Sequence, residues 1–279
     1  MIRRVKEKKI IRKAAFYAKE FPKENSEVPA KFRDQILVGD SEDILKEFPD
    51  NCIDLILTSP PYNFGRSYDS FEDVVSWPDY FEKLFKILNE CIRVLKYGGR
   101  LVINVRPCFS DYIPTNHIIS NYFMEQGLIW MEEIIWEKYH HLARRESWGS
   151  WKSPSCPHLH YTWEYLLVYA KGSVKHEGKK ELIDITREEF LDWNRAYWEI
   201  IPETQMNKYG HPAMFPVELA KRVLKLYSYI GDVVLDPFNG AGTTTFVAKL
   251  LKRHYIGIDI SEKYCEIAKA RLKSILDFD

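Results

Sequence analysis

The stretch that decides the fold is DVVLDPFNGAG, residues 232–242, in which a short apolar run enters a turn with two glycines. Thr243 then begins a segment of helical spacing that ends near Leu251. Gly240 and Gly242 can adopt backbone dihedrals closed to other residues and allow a ligand to approach the N–H groups at the start of that helix. A tight turn with a purely structural role would use the same glycines, so the turn alone leaves both interpretations open.

Polar segments also follow other short apolar runs, and the strands implied by these runs alternate with helices. These polar segments are Asp40, Thr58 to Tyr62, and Asp259. Apolar residues at helical spacing predict a helix from Trp77 to about Leu95 that closes at Gly98-Gly99. Further strands are predicted at Leu101 to Val105, Ile129 to Trp136 and Tyr165 to Tyr169. This alternation predicts an α/β fold with a doubly wound, mostly parallel sheet, whose strands carry a shared ligand site at their carboxyl ends.

The carboxylates near the glycine turn narrow the choice of ligand. Asp259 stands nineteen residues after Gly240, where a carboxylate can accept both hydroxyls of a ribose. No Lys follows Gly242, which argues against a triphosphate loop, and Thr245 stands where a dinucleotide turn has a third glycine. Asp236 would repel a pyrophosphate but suits a ligand with an ammonium or sulfonium group. S-Adenosylmethionine meets these conditions and is the expected cofactor.

The segment TSPPY, Thr58 to Tyr62, is predicted to be the reacting loop. Its two prolines fix the backbone and remove two N–H donors, which leaves carbonyl oxygens aimed to accept hydrogen bonds. An exocyclic amine of a nucleobase becomes a better nucleophile when its N–H groups are accepted, here by the Ser59 hydroxyl and the Pro60 carbonyl oxygen. Tyr62 offers a flat face for a base that has left its helix. A rigid turn with a core tyrosine is the competing interpretation.

Together, the reacting loop and the glycine turn resemble the DNA amino-methyltransferases that modify exocyclic nitrogens of bases with S-adenosylmethionine. Their order in this chain is that of the beta group, and the resemblance extends from about Gln35 to Leu272. It implies a Rossmann-like methyltransferase fold with permuted motif order. Other segments that carry it are Gly39 to Ser41, Leu95 to Gly99, Thr162 to Glu164, Trp198 to Pro202, His211 to Pro216 and Arg253 to Asp259.

The resemblance also implies roles for individual residues. Asp40 would hold the adenine amino group of the cofactor, Asp259 its ribose, and Asp236 with the glycine turn its methionine part. Phe215, at a predicted helix start, would line the same pocket. The other residues expected to bind the cofactor are Thr58, Pro237, Phe238, Asn239, Gly240, Gly242 and Thr243. The residues expected to be catalytic are Ser59, Pro60, Pro61 and Tyr62.

Ser59 favours cytosine as the target base, because in that family Ser at this position goes mainly with cytosine N4 and Asp with adenine N6. The expected protein is a site-specific DNA methyltransferase, the modification component of a restriction–modification system, with adenine-N6 methylation as the alternative. A nucleic-acid-binding protein that has lost the chemistry is a further hypothesis, against which the intact loop and turn count. Carbon-5 methylation needs a cysteine nucleophile, but Cys108 follows a different strand and is interpreted as a packing or surface residue.

The range 137–197 contains material that a minimal sheet does not need, and it is the expected target-recognition region. Residues 137–180 hold eight Lys or Arg and four acids, interleaved with aromatic residues. The segments around 139–157 and 173–193 are the candidates for reading DNA, with a satellite aromatic core as the competing interpretation. The residues expected to contact DNA are Arg144, Arg145, Trp148, Trp151 and Lys152. The spacing of Cys156, His158 and His160 fits no standard zinc signature, and no metal is expected.

The net charge of zero, from 40 Lys and Arg against 40 Asp and Glu in 279 residues, conceals an uneven distribution. Residues 1–23 sum to +7 and residues 137–180 to +4, which leaves −11 for the rest of the chain. The electrostatic potential of a basic surface region attracts DNA even when the whole protein is neutral. A net charge of zero is therefore compatible with double-stranded DNA as the partner. A basic amino-terminal arm, 1–34, is expected to precede a catalytic domain at 35–279.

The composition excludes a disordered or collagen-like chain, since 46% of the residues are hydrophobic. Five scattered cysteines predict reduced thiols, and no apolar run reaches the length of a membrane span. A cytoplasmic protein is expected, acting as a monomer or homodimer, with any cognate restriction endonuclease acting separately.

Overall fold

The computed structural model describes residues 16–63, 75–107, 112–138, 149–204, 206–211 and 213–275. Within these ranges, eight strands form one sheet in the order β1-β8-β7-β2-β3-β5-β4-β6. The strands are β1 (Gln35–Val38), β2 (Ile53–Thr58), β3 (Leu95–Val105), β4 (Ile129–Glu137), β5 (Trp163–Ala170), β6 (Tyr197–Glu199), β7 (Val233–Asp236) and β8 (His254–Asp259). The helices are α1 (Ser41–Leu45), α2 (Trp77–Val94), α3 (Thr115–Glu125), α4 (Arg187–Trp193), α5 (Met206–Tyr209), α6 (Val217–Tyr227), α7 (Thr243–Leu250) and α8 (Glu262–Lys273).

The sheet is mostly parallel, as the sequence predicts, and β5 is the strand that runs against its neighbours. It pairs antiparallel with both β3 and β4, whereas the other pairs in the sheet are parallel. The reversal follows from connectivity: Glu137, at the end of β4, pairs with Trp163, at the start of β5, so the chain re-enters the sheet at the edge where it left.

Helices cover both faces of the sheet, which confirms the doubly wound α/β prediction. The side chains of β2 show how the two cores are separated, because neighbouring residues of a strand point to opposite faces. Ile56 packs with the core under α1, α2 and α3, while Leu57 packs with the core under α6 and α7. All six residues of β2 are buried. Full burial stabilises the fold by roughly 1.5–3 kcal/mol for each large aliphatic side chain.

The prediction that Gly98-Gly99 ends the second helix is wrong. Helix α2 ends at Val94, and β3 begins at Leu95, so the glycine pair lies inside the strand. The pairing of β2 with β3 shifts register at this point, which marks a bulge. Gly98 has φ +83° there, and a Cβ would lie 2.7 Å from the Lys175 carbonyl oxygen. The glycines therefore serve a bulge and a close backbone approach.

Strand β5 crosses the middle of the sheet within the range 137–197. The sequence predicts this strand, and its position between β3 and β4 divides the candidate target-recognition segments into two separate parts. Among the described helices, no helix has the length and apolar character to cross a membrane.

Candidate active site

The carboxyl ends of four neighbouring parallel strands, β1, β8, β7 and β2, meet at one edge of the sheet. A cavity of about 1040 Å³ lies at this edge. Most of the residues expected in the site line it: Asp40, Ser59, Pro60, Pro61, Tyr62, Phe215, Asp236, Pro237, Phe238, Asn239, Gly240, Thr243 and Asp259. The convergence predicted from four separate segments is thus present in the fold.

Asp259 holds the glycine turn by accepting two backbone N–H groups. One carboxylate oxygen lies 2.7 Å from the Gly240 nitrogen and the other 2.9 Å from the Ser261 nitrogen. Burial raises the pKa of Asp259, and the two N–H donors act in the opposite direction. Because a carboxylate oxygen has more than one lone-pair site, each can still accept a hydrogen bond from a ligand hydroxyl.

Asp236 is buried, with 2% of its surface exposed, and lies beside the turn. Its oxygens accept hydrogen bonds from the hydroxyls of Thr58 and Thr244, both at 2.7 Å, and from the Phe238 N–H at 3.1 Å. Burial raises its pKa to about 6, so the carboxylate is mostly ionised at neutral pH. Thr58 is thereby placed behind Asp236 and does not line the cavity.

Gly242 precedes α7 with φ +77° and is likewise absent from the cavity wall. A Cβ at this position would lie 2.7 Å from the Cβ of Ala268 on α8. The second glycine of the turn therefore allows two helices to pack closely, while Gly240 faces the cavity.

His211 packs against the glycine turn. The sequence indicated no role for it, apart from its place in the segment His211 to Pro216 that carries the family resemblance. A Cβ on Gly240 would lie 2.6 Å from the His211 Nε2, so a larger residue would collide with the ring. Burial lowers the pKa of His211 to about 4, and its Nδ1 accepts the Ala213 N–H at 3.3 Å. A neutral imidazole therefore closes this side of the turn.

Asp40 caps α1 and is paired with a cation that the sequence did not single out. One carboxylate oxygen accepts the Glu42 N–H at 2.9 Å, and the other lies 2.7 Å from the ammonium nitrogen of Lys83. Lys83 lies on α2, lines the cavity and also contacts Glu42 at 2.8 Å. No motif predicts this pairing, because it depends on how α2 packs beside α1.

The reacting loop is held in place by hydroxyl contacts. The Tyr80 hydroxyl donates to the Pro61 carbonyl oxygen at 2.7 Å, which fixes the second proline against α2. The Ser59 Oγ and the Tyr62 hydroxyl oxygen are 3.1 Å apart. Both Ser59 and Tyr62 line the cavity. The stacking of a base on the Tyr62 ring stays a prediction.

A polar group from β3 and β5 contacts the reacting loop, and its side chains also line the cavity. Asn104 donates from Nδ2 to Glu164 at 2.6 Å and to the Tyr62 hydroxyl oxygen at 2.9 Å, and it lies 3.4 Å from the Ser59 Oγ. Glu164 is 3.2 Å from the Tyr62 oxygen, and its second carboxylate oxygen pairs with Lys138. The sequence indicated Glu164 only as part of the segment Thr162 to Glu164 that carries the family resemblance, and it did not indicate Asn104 or Lys138. Glu164 could have been found from the sequence, because an acidic residue inside the apolar strand β5 must have a partner for its buried charge.

Of the residues expected to contact DNA, Trp151 and Lys152 lie within the described part of the chain. Trp151 is 63% exposed, and the Lys152 ammonium lies 5.3 Å from its ring centre. Downstream, Tyr161 and Trp163 line the cavity, with ring centres 5.2 Å apart. The segment that carries Trp151 therefore leads to the cavity. Arg144, Arg145, Trp148, Cys108 and residues 1–15 of the basic arm lie outside the described residues.

The other candidate recognition segment, 173–193, begins along the opposite edge of the sheet. Its Leu182 carbonyl oxygen accepts the Ile230 N–H at 3.0 Å, just before β7. Asp184 pairs with Arg253, just before β8, and His176 lies 2.8 Å from Asp232. These contacts place 176–184 at the amino ends of strands whose carboxyl ends form the cavity.

Comparison with known proteins gives a family for residues 53–270, which match the N6/N4 methyltransferase model described as DNA methylase. The type II methyltransferase M.HpaI of Haemophilus parainfluenzae is 32% identical over 241 residues, covering 82% of this chain and 71% of that protein. The type II methyltransferase M.BglII of Bacillus subtilis is 27% identical over 258 residues, covering 87% and 70%.

Solved structures share the fold. A candidate DNA modification methylase from Thermus thermophilus, complexed with S-adenosyl-L-methionine, matches with a TM-score of 0.69 and 29% identity. The match covers 86% of this chain and 93% of that one. The cytosine-N4-specific PvuII DNA methyltransferase matches with a TM-score of 0.65 at 18% identity, covering 87% and 89%, and this likeness concerns the fold alone.

Proposed function

This chain belongs to the N6/N4 DNA methylase family, and on that premise we propose that it methylates the N4 amine of cytosine in duplex DNA. It is an S-adenosylmethionine-dependent DNA amino-methyltransferase. The proposal adds two claims to the family assignment: that the target base is cytosine, and that the base leaves the DNA helix before it is methylated. As a relative of type II methyltransferases, it would act as the modification component of a restriction–modification system.

Ser59 is the observation that carries the choice of cytosine. It is the residue of the reacting loop that precedes the two prolines, lines the cavity and lies beside the Tyr62 hydroxyl. A serine hydroxyl accepts an N–H bond without bringing a charge to the base, whereas an aspartate in its place would bring one. In this chain the Glu164 carboxylate, which also lines the cavity, contacts the Tyr62 hydroxyl at 3.2 Å and does not stand at the serine position.

The residues at the other end of the cavity suit S-adenosylmethionine. Asp40, Asp236 and Asp259 present carboxylate oxygens, which accept hydrogen bonds from amino and hydroxyl groups and attract a positive charge. Ligand pockets usually measure about 300–1,000 Å³ for one drug-sized molecule. The cavity of about 1040 Å³ lies at the upper end of this range, which is sufficient for the cofactor.

The bound cofactor supplies a methyl group on a sulfonium sulfur. In the transfer, the amine lone pair would form the N–C bond as the C–S bond breaks with its electrons going to sulfur, and one amine proton would be released to solvent. Ser59 and the Pro60 carbonyl would accept the amine N–H groups and direct the lone pair toward the methyl. The described cysteines, Cys52, Cys91, Cys156 and Cys265, do not line the cavity, which agrees with transfer without a covalent enzyme intermediate.

The test is to incubate the protein with methyl-labelled S-adenosylmethionine and sequence-diverse duplex DNA, then identify the labelled nucleosides by mass spectrometry. Labelled N4-methyldeoxycytidine is expected. Labelled N6-methyldeoxyadenosine would overturn the choice of cytosine and retain DNA amino-methylation. No label in DNA, with label in an RNA substrate run in parallel, would overturn the proposed substrate.

A further inference from the structure

We infer that Glu164 is a positioning residue that fixes the direction of the hydrogen bonds ending at Ser59, so that Ser59 presents a lone pair to the substrate amine. The inference deepens the proposed function and rests on it. It concerns four side chains in contact, Glu164, Asn104, Tyr62 and Ser59, with Lys138 paired to Glu164. All five residues line the cavity.

The direction of each hydrogen bond follows from what each group can donate. The Tyr62 hydroxyl has one proton, and two obligate acceptors lie near it: the Glu164 carboxylate at 3.2 Å and the Asn104 backbone carbonyl oxygen at 3.5 Å. The amide nitrogen of the Asn104 side chain can only donate, and it donates to the Tyr62 oxygen. The Tyr62 proton therefore points toward Glu164 and away from Ser59.

Ser59 must then donate its own proton to Tyr62 across the 3.1 Å between their oxygens. A hydroxyl that donates its single proton in this way has only lone pairs left for other partners. The group that Ser59 turns toward the cavity is thus an acceptor, which is what an amine with two N–H groups requires. The opposite orientation would point a proton at the amine and oppose its attack.

The ionised state of Glu164 is what makes the direction unambiguous. Its side chain is buried, and burial alone would raise its pKa, but the ion pair with Lys138 and the Asn104 hydrogen bond lower it below the ordinary value. Lys138 itself is held over the Trp136 ring at 4.2 Å. Burial also raises the pKa of Tyr62 well above its ordinary value, so the phenol keeps its proton.

The strand order brings these groups together. Asn104 and Glu164 lie on the antiparallel strands β3 and β5, and Glu164 pairs across the sheet with Trp136 of β4. Lys138 follows β4 directly. The position of β5 between β3 and β4 therefore brings both the carboxylate and its counter-ion to the reacting loop.

The test compares Glu164→Gln with the wild type in single-turnover methyl transfer. Glutamine has nearly the same shape, but its amide can donate to the Tyr62 oxygen and reverse the direction of the hydrogen bonds from Ser59 to Tyr62. We expect the transfer rate to fall by roughly 100-fold, the size of a positioning effect, with an unchanged dissociation constant for S-adenosylmethionine. Glu133→Gln, at an exposed position on β4, is the matched control and should keep the wild-type rate.

A second variant separates an effect on folding from an effect on the direction of the hydrogen bonds. Glu164→Gln removes the charge that pairs with the half-buried Lys138, which destabilises the protein. Combining Glu164→Gln with Lys138→Met should restore the melting temperature while the transfer rate stays low. If the rate returned together with the melting temperature, the role of Glu164 would be purely structural and the inference would be overturned.

A double-mutant cycle with Tyr62→Phe tests the route. Removing the Tyr62 hydroxyl removes the hydrogen bonds that connect Glu164 to Ser59. In that background, Glu164→Gln should therefore lower the transfer rate little further. Fully additive losses would overturn the inference, as would a wild-type rate for Glu164→Gln in an active preparation. A wild-type protein that methylates adenine would instead refute the choice of cytosine, and the same cycle would still test Glu164. A wild type without any methyl transfer to DNA would overturn both.

Discussion

The two ends of the cavity are built in different ways. At the glycine-turn end, Asp259 holds the N–H groups of Gly240 and Ser261, and Asp236 holds that of Phe238, so carboxylates bind backbone close to them in the fold or sequence. At the reacting-loop end, side chains support the loop. Tyr80 of α2 holds the Pro61 carbonyl oxygen, while Asn104 and Glu164, 42 and 102 positions from Tyr62, hold its hydroxyl.

The difference separates binding from chemistry. The glycine-turn end offers acceptors and a conformationally demanding turn, which suit a cofactor held through its donors. The reacting-loop end offers an oriented chain of hydroxyls, which suits a reacting amine. Substitutions at the two ends should therefore affect different measured quantities, and each prediction below tests that separation.

Ser59→Ala is expected to give the largest effect. Removal of the hydroxyl takes away the acceptor for the substrate amine, and the turnover rate should fall by about 100-fold or more. The dissociation constant of S-adenosylmethionine should stay the same, because Ser59 lies at the reacting-loop end. Ser274→Ala, beyond α8, is the matched control. A variant with wild-type turnover would refute the role given to Ser59.

Asp259→Ala should affect binding in place of turnover. Loss of a charged acceptor for the ribose removes about 1.5–3 kcal/mol, which corresponds to roughly a 10- to 100-fold weaker dissociation constant. Calorimetric titration with S-adenosylmethionine measures the change, and turnover at saturating cofactor should change much less. Asp43→Ala, an exposed acid on α1, is the control. An unchanged dissociation constant would remove Asp259 from the ribose site.

The affinity for S-adenosylmethionine should fall as the pH is lowered through about 6. Asp236 has a raised pKa of about 6, so it is ionised above this pH and loses its charge below it. The fall should be at most about tenfold per pH unit if one proton is linked to binding. Asp259, whose pKa is also raised, adds to the same trend, while His211, with a pKa of about 4, titrates below this range.

Asp236→Asn provides the comparison for this pH profile. It should bind the cofactor more weakly at neutral pH and show a flatter dependence as the pH is lowered through about 6. Thermal melting of both proteins at each pH confirms that they stay folded. An identical pH dependence in the two proteins would show that Asp236 is not the group that titrates.

Gly240→Ala should give the smallest effect on chemistry but a measurable one on stability. Gly240 has φ +49°, and an alanine Cβ would lie 2.6 Å from the His211 ring. Gly231→Ala is the matched control, because Gly231 has φ +85° and no atom within 4 Å of the added Cβ. Backbone strain alone costs about 1–2 kcal/mol. Overpacking should add roughly 1–3 kcal/mol at Gly240. Equal losses in the free energy of unfolding would contradict the close approach of His211.

Local sequence predicted most of the sheet and one end of the site well. The runs that end at Asp236 and Asp259 became β7 and β8, and the helix after the glycine turn starts at Thr243 as expected. Where local sequence failed, a longer-range contact decided the structure. Gly98-Gly99 resembles a helix stop, but the register shift between β2 and β3 makes it a bulge.

The sequence by itself determined the family, the α/β fold and the glycine-turn end of the cavity, because strands, tight turns and the carboxylates after them depend on neighbouring residues. Only the tertiary structure decided which side chains support Ser59. Glu164 reaches Tyr62 because β5 runs antiparallel between β3 and β4, and Lys83 reaches Asp40 because α2 packs beside α1. Strand order and helix packing bring together residues up to about a hundred positions apart, and their hydrogen bonds leave no periodic pattern in the sequence.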